Sequence, residues 1–261
     1  MNKNNNNYTK IGEGDCKVIA LHDWMGNTTN WDSLHAIIDR QAFSFAFMDI
    51  RGYGKALDTE GSYNSQEIVN DIIQLADSLG WDSFNIIGHS MTAMPVVSML
   101  NSAYESRLKS MMLIAPVGPQ GFALDAENAQ FFTSIIQSEQ VAATAYAAFT
   151  GNSLGSNWYK SKAKNLLAHT SKKAMHGYLN MWSTENFMDR VKGHSKPIQI
   201  LYGKQDHPGF GLASLEANFG HFPNTEFIGI DNAGHYPMLQ VPIYTLHLIE
   251  HYFLNHNSQI S

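Results

Sequence analysis

The sequence of 261 residues has a single cysteine, Cys16, and little charge, since Asp, Glu, Lys and Arg make up 15% of it. One thiol excludes an internal disulfide framework and any zinc or iron–sulfur site built from cysteines. It is also typical of a protein that resides in a reducing compartment. We therefore expect a cytoplasmic protein in which Cys16 is a small packed residue.

Basic residues and long apolar runs are scarce as well. The 17 Lys and Arg residues are outnumbered by 23 Asp and Glu, and the net charge is −6. Without a basic excess to neutralise phosphates, we expect no nucleic-acid partner. No window approaches about 20 consecutive apolar residues, so we expect no membrane span. Residues 1–10, MNKNNNNYTK, lack the apolar stretch of a secretory signal and are predicted to be a disordered tail.

Short apolar runs bounded by turn residues recur along the chain and predict strands. These runs are Lys17–Leu21, Phe43–Met48, Phe84–Ile87, Ser110–Ala115, Ile198–Tyr202 and Glu226–Ile230. Several are apolar throughout, which is typical of parallel strands covered on both faces. Helical patterns lie between them, the clearest from Glu67 to Leu79, closed by Gly80. This alternation predicts an α/β fold with a mostly parallel central sheet and helices on both faces.

The alternation stops after Pro116 and resumes only near Pro197. The intervening stretch carries aromatic and aliphatic residues at helical spacing, with a break from Gly151 to Gly155. We interpret residues 117–190 as a helical lid inserted into one core, which residues 11–116 and 191–261 form together.

A serine at a predicted strand-to-helix turn is the strongest motif. The strand that begins at Phe84 leads into Gly-His-Ser-Met-Thr at 88–92, and a helical pattern follows. Such a turn exposes the serine hydroxyl and directs the next backbone N–H towards the group that the hydroxyl attacks. The motif is similar to G-x-S-x-G with Thr92 in place of the second glycine. Ser90 is therefore the predicted nucleophile.

Serine is a poor nucleophile at neutral pH, so it needs a histidine base and an acid that orients the base. His235 follows the last predicted strand and Asp206 follows the strand before it, both at carboxyl ends, where α/β sheets place their chemistry. Asp231 and Asp125 are weaker candidates for the acid.

Four segments in this order resemble the α/β-hydrolase fold family, in its lid-bearing branch of small esterases, lactonases and carbon–carbon bond hydrolases. They are Leu-His-Asp-Trp at 21–24, Asp-Ile-Arg-Gly-Tyr-Gly at 49–54, the serine motif, and Gly-His at 234–235. The chain order of Ser90, Asp206 and His235 is the order that this family uses. The resemblance covers about residues 15–255 and implies a catalytic triad of these three residues.

His22, Asp23 and Trp24 resemble the family's H-G-x turn. The resemblance implies that the backbone N–H groups of Trp24 and Met91 form the oxyanion hole. Asp23 stands where the family commonly has glycine, and a carboxylate there opposes an oxyanion unless it points away or is paired. We interpret His22 as a residue that braces the loop.

The residues and the resemblance together predict a serine esterase that forms an acyl-enzyme and needs no metal or organic cofactor. The aromatic residues of the lid favour a small apolar or amphipathic substrate. Lactone hydrolysis and carbon–carbon bond hydrolysis use the same triad and stay open as alternatives, as does a small-molecule receptor with little turnover. The sequence contains no signal for the oligomeric state.

Overall fold

A computed structural model describes residues 7–257 and places seven strands in one sheet. The strands are β1 (Tyr8–Ile11), β2 (Cys16–Leu21), β3 (Phe43–Met48), β4 (Phe84–His89), β5 (Leu108–Ile114), β6 (Ile198–Gly203) and β7 (Thr225–Ile230). Their order across the sheet is β1-β3-β2-β4-β5-β6-β7. β1 pairs with β3 in antiparallel fashion, and the other neighbours are parallel, so β2 to β7 end at one edge of the sheet.

Helices connect the strands and cover the sheet. They are α1 (Asp32–His35), α2 (Ser65–Ser78), α3 (Ala93–Ser98), α4 (Ala126–Gln137), α5 (Glu139–Phe149), α6 (Ser156–Ala168), α7 (Lys172–Thr184), α8 (Met188–Val191), α9 (Leu212–Phe219), α10 (Pro237–Gln240) and α11 (Pro242–Asn257). In the part of the chain from 7 to 257, none of them is long and apolar enough to cross a membrane.

The predicted strands all occur, with ends that differ by at most two residues. Continuous apolar runs form the central strands, while β7 at the edge of the sheet is mostly only partly buried. Every residue of β3 and β4 is buried. The predicted helix from Glu67 is α2, which buries Ile68, Ile72 and Ala76 against the core. The side chain of Asn64 caps its first turn, and Gly80 follows its end with a φ of 66°.

The interpretation of residues 1–10 as a disordered tail was wrong for its last part. Tyr8–Ile11 form β1 at the edge of the sheet, where Tyr8 pairs with Met48 and Ile11 with Phe45. Three of the four residues are only partly buried, so the strand lacks the continuous apolar pattern of its neighbours. Residues 1–6 of the predicted tail lie outside the described residues.

Cys16, the first residue of β2, is 1% exposed. Burial raises the pKa of its thiol to about 12. The thiol is therefore protonated at neutral pH and serves as a small packed side chain, as predicted.

α4 to α8 all lie between β5 and β6, and we refer to them as the inserted helices (residues 126–191). The predicted glycine break at 151–155 falls between α5 and α6. The indole N–H of Trp24, in the loop after β2, donates to the carbonyl of Met175 in α7 at 2.9 Å. The inserted helices are thus attached to the carboxyl edge of the sheet.

Candidate active site

Ser90 occupies a strained turn between β4 and α3. Its φ is 56°, in the left-handed region that residues other than glycine rarely adopt. The turn needs the glycine two residues earlier, because a Cβ at Gly88 would lie 2.8 Å from the Cα of Ala93 and 2.9 Å from its nitrogen. Strained backbone of this kind concentrates at functional sites. The serine motif therefore folds into the sharp turn that the sequence predicted.

Thr92 stabilises the same turn. Its hydroxyl accepts a hydrogen bond from the backbone N–H of His89 at 3.0 Å and donates one to the carbonyl of His89 at 2.9 Å. Both groups are buried, so each would cost free energy if left without a partner. The threonine that departs from G-x-S-x-G thus satisfies the backbone at the end of β4.

His235 and Asp206 form a close buried pair. The Nδ1 of His235 lies 2.6 Å from the Oδ2 of Asp206, and the side chains are 5% and 1% exposed. Since a carboxylate oxygen accepts, Nδ1 carries the proton and Nε2 is free to act as a base. Burial by itself would lower the pKa of the His235 imidazole, but the charge and hydrogen bond of Asp206, with a further contribution from Asp23, raise it above its ordinary value.

Backbone contacts fix the two loops that carry Asp206 and His235. Gly203 ends β6 directly against the carbonyl groups of Ala233 and Gly234, where any larger side chain would clash. The N–H of His235 donates to the carbonyl of Phe149, the last residue of α5, at 2.8 Å. The position of the histidine therefore depends on both the sheet and the inserted helices.

A cavity of about 510 Å³ lies at the carboxyl edge of the sheet, and the predicted site residues line it. Ser90, Asp206 and His235 line it, as do Trp24 and Met91. Much of the remaining wall is aromatic and consists of Phe122, Phe131, Phe132, Phe149, Trp182 and Phe210. A concave, largely apolar cavity with a few polar groups at one end is the usual form of a small-molecule site.

Asp23 also lines the cavity, but hydrogen bonds occupy its carboxylate. Oδ2 accepts from the hydroxyl of Tyr236 at 2.7 Å and from the N–H of Met25 at 3.0 Å, while Oδ1 accepts from Asn30 at 2.8 Å. Burial raises the pKa of Asp23, yet the nearby His89 and the bond from Tyr236 outweigh it, so the pKa is below its ordinary value. The carboxylate is therefore charged and paired.

The other candidates from the sequence have structural contacts. His22 donates from Nδ1 to the carbonyl of Asp23 at 2.7 Å and accepts at Nε2 from Ile50 N–H at 3.2 Å, so it braces the loop. Asp231 pairs with Lys204 at 2.7 Å on the surface. Asp125 caps α4 by accepting from the N–H of Asn128 at 2.8 Å. Neither aspartate lines the cavity wall described above.

Two residues that the motifs did not single out connect the His235 loop to Asp23. His89 donates from Nε2 to the carbonyl of His235 at 2.8 Å, and its Nδ1 lies 3.8 Å from Oδ1 of Asp23. Burial lowers the pKa of His89 to about 4, so its ring is neutral at neutral pH. Tyr236 donates to Asp23. The sequence could have indicated both residues only by their position, since His89 precedes Ser90 and Tyr236 follows His235.

Comparison with known proteins gives one consistent family match. The sequence model described as alpha/beta hydrolase fold matches residues 18–242. A serine hydrolase-like protein of Dictyostelium discoideum is 28% identical over 83 residues, which cover 31% of this chain and only 23% of that protein. A pimeloyl-[acyl-carrier protein] methyl ester esterase of Klebsiella pneumoniae is 24% identical over 248 residues, covering 89% of this chain and 91% of the esterase.

Solved structures show the same architecture. An esterase from Exiguobacterium antarcticum superimposes with a TM-score of 0.81 over 94% of both chains at 17% identity. At that identity, the likeness concerns the fold, and function has to be argued from the residues of the site.

Proposed function

Because the chain belongs to the alpha/beta hydrolase fold family, we propose that it is a serine hydrolase that cleaves an ester bond in a small apolar or amphipathic substrate. Ser90 is the nucleophile, His235 the general base and Asp206 the residue that orients the base. The name of the Klebsiella pneumoniae relative, a methyl ester esterase, supports the ester as the bond attacked.

One observation carries this proposal. A serine on a strained turn and a buried histidine–aspartate pair line the same cavity, although they come from the ends of three different strands. A histidine that is held by a carboxylate and has a free Nε2 is the arrangement that activates a serine hydroxyl. A serine in an ordinary loop would have no reason to line one cavity with such a pair.

In the proposed reaction, the Oγ of Ser90 attacks the substrate carbonyl carbon while His235 Nε2 takes the hydroxyl proton. Asp206 stabilises the imidazolium that forms. The backbone N–H groups of Trp24 and Met91 donate to the oxyanion, and one such donor typically contributes about 10²–10³ in rate. His235 then protonates the leaving alcohol, and water hydrolyses the acyl-enzyme by the same steps.

The aromatic wall supports the substrate class. Aromatic side chains bury apolar groups well and offer little to a charged one. Phe131, Phe132, Phe149 and Trp182 belong to the inserted helices. We therefore propose that residues 117–190 act as a cap over a core of residues 11–116 and 191–261, and that the cap shapes the substrate site.

The location of the protein is part of the proposal. The thiol of Cys16, which has no second cysteine in the sequence to pair with, supports a reducing compartment, the cytoplasm. Cell fractionation with an antibody against the chain tests this expectation.

The test of the function is hydrolysis of a short p-nitrophenyl ester by the wild type and by Ser90→Ala. We expect kcat/KM to fall about 10³-fold or more in the variant, because the nucleophile is lost while the fold remains. We expect a similar fall in the kcat/KM of His235→Gln. Ser98→Ala is the matched control, since the Ser98 hydroxyl donates to the carbonyl of Pro95 within α3 and does not line the candidate cavity. Hydrolysis that survives in Ser90→Ala would contradict the proposal.

A fluorophosphonate probe separates the enzyme from a receptor with little turnover. Prompt labelling of the wild type, lost in Ser90→Ala, supports an activated serine. Absence of labelling together with tight binding of a small molecule supports the receptor. Esters and lactones of graded chain length, assayed beside the Ser90→Ala control, then distinguish ester from lactone hydrolysis.

A further inference from the structure

The carboxylate of Asp23 connects two loops of the candidate active site. It belongs to the turn that carries Trp24, and it accepts a hydrogen bond from Tyr236, the residue that follows His235. The end of β4 joins them, because His89, its last residue, donates to the carbonyl of His235 and faces Asp23. Asp23 therefore lies where the loops after β2 and β7 meet the end of β4.

The charge of Asp23 is buried, since the residue is 2% exposed. A charge in such surroundings interacts strongly with its neighbours, because little water screens it. The titratable groups that face Asp23 or His235 come from several elements and are His22, Tyr53, His89, Tyr146, Lys162, Asp206 and Tyr236. Lys162, in α6, reaches Asp23 through Asn30, to whose side-chain oxygen it donates.

We propose that Asp23 is a positioning residue for ester hydrolysis: it connects the Trp24 loop to the His235 loop through Tyr236, and its negative charge stabilises the imidazolium that forms when Ser90 attacks. This inference rests on the function proposed above. It goes beyond the family pattern, since the family commonly has glycine at this position. A glycine has no side chain to accept a hydrogen bond from Tyr236 and no charge to stabilise an imidazolium.

The charge balance of the attack explains how a carboxylate can be useful here. The bond between Ser90 Oγ and the carbonyl carbon forms, the proton moves to His235 Nε2, and the carbonyl oxygen takes the negative charge. Asp23 favours the positive ring and opposes the negative oxygen. Three donors occupy its oxygens and disperse part of its charge. We expect the gain at the imidazolium to exceed the cost at the oxyanion, and the plateau kcat/KM of Asp23→Asn measures this balance.

The central experiment compares the wild type with Asp23→Asn, which keeps the shape and removes the charge. The His235 ring is titrated by NMR, with His235→Gln used to assign its signals. We expect the midpoint in Asp23→Asn to move to lower pH, with the acid limb of kcat/KM moving in the same direction. We also expect kcat/KM on the plateau to fall about tenfold, equivalent to about 1.4 kcal/mol. A midpoint that stays in place or rises overturns the proposal.

Two further variants separate charge from position. Tyr236→Phe removes the connection between the loops and keeps the charge, so kcat/KM should fall while the midpoint does not move to lower pH. Wild-type kcat/KM in this variant would overturn the positioning role. Asp189→Asn, which removes an exposed carboxylate paired with Lys192, should leave both readouts unchanged.

Asp23→Gly replaces Asp23→Asn if the latter does not fold, and the NMR titration tests Asp23 independently of catalysis. If Asp23→Asn does not fold, Asp23→Gly removes the same charge without burying an amide, and its midpoint should also move to lower pH. The NMR titration needs no turnover. A wild type without hydrolysis or probe labelling would therefore contradict the proposed function, while the titration would still decide whether Asp23 acts on His235.

Discussion

Thr92 and Asp23 stand at two positions where the family commonly has glycine, and the structure gives each a defined set of partners. Thr92 bonds both backbone groups of His89 at the turn before Ser90. Asp23 receives three donors, one of which comes from Tyr236. The sequence showed these departures only as irregularities in a motif. Their partners became visible in three dimensions, because Asp23 and Tyr236 are 213 residues apart in the chain.

At the same scale, we predict the pH dependence of hydrolysis from His235. The base must be neutral to accept the proton of Ser90, and its pKa is raised above the ordinary value of 6.5, with Asp206 opposing the effect of burial. The kcat/KM of the wild type should therefore fall as the pH decreases, with a midpoint above 6.5. A pH profile with a neutral ester measures this. A midpoint below the ordinary value would contradict the assignment of His235 as the base.

At the scale of elements, the nucleophile turn depends on how closely α3 approaches the end of β4. Gly88 permits this approach, because the backbone of Ala93, the first residue of α3, lies 2.8 Å from where a Cβ at position 88 would stand. The sequence predicted both elements and the small residue between them, since each is a local pattern. The edge strand β1 was missed, because its residues are partly buried or exposed and lack the continuous apolar pattern of its neighbours.

Gly88→Ala tests this packing. The added methyl group meets the backbone of Ala93, which has no flexible side chain to move aside, so we expect a loss of about 1–3 kcal/mol in the free energy of unfolding. Urea denaturation measures the loss. Gly155→Ala is the control, because no atom of residues 7–257 beyond its chain neighbours lies within 4 Å of a Cβ there. Its cost should be at most about 1 kcal/mol for a changed helix cap. Equal stability of the two variants would show that the turn tolerates a side chain.

At the scale of the whole molecule, the loops after β2 and β7 converge on a buried, neutral His89 at the end of β4. Burial lowers its pKa to about 4, compared with 6.5 in the unfolded chain. Between these values the unfolded state binds a proton that the folded state does not, so the contribution of His89 to stability falls as the pH decreases. His235 has a raised pKa and acts in the opposite direction, so a variant is needed to isolate His89.

We predict that His89→Gln is less sensitive to acid than the wild type. From about pH 6.5 to about pH 5, the wild type should lose about 1.5 kcal/mol more in the free energy of unfolding than the variant does, which follows from the two pKa values. Urea denaturation at both pH values gives the difference. The variant can be less stable overall, and only the change with pH is compared. Parallel losses in the two proteins would show that His89 is charged in the folded state or does not titrate in this range.

The sequence by itself determined the mostly parallel sheet, the sharp turn at Ser90 and the candidate residues Asp206 and His235. Continuous apolar runs, a short serine motif and positions at strand ends are local signals that survive without knowledge of the fold. Only the tertiary structure decided that Asp206 rather than Asp231 contacts His235, and that the carboxylate of Asp23 is paired with Tyr236. Such contacts depend on where distant loops meet, and a buried charge can be judged only from the donors that surround it.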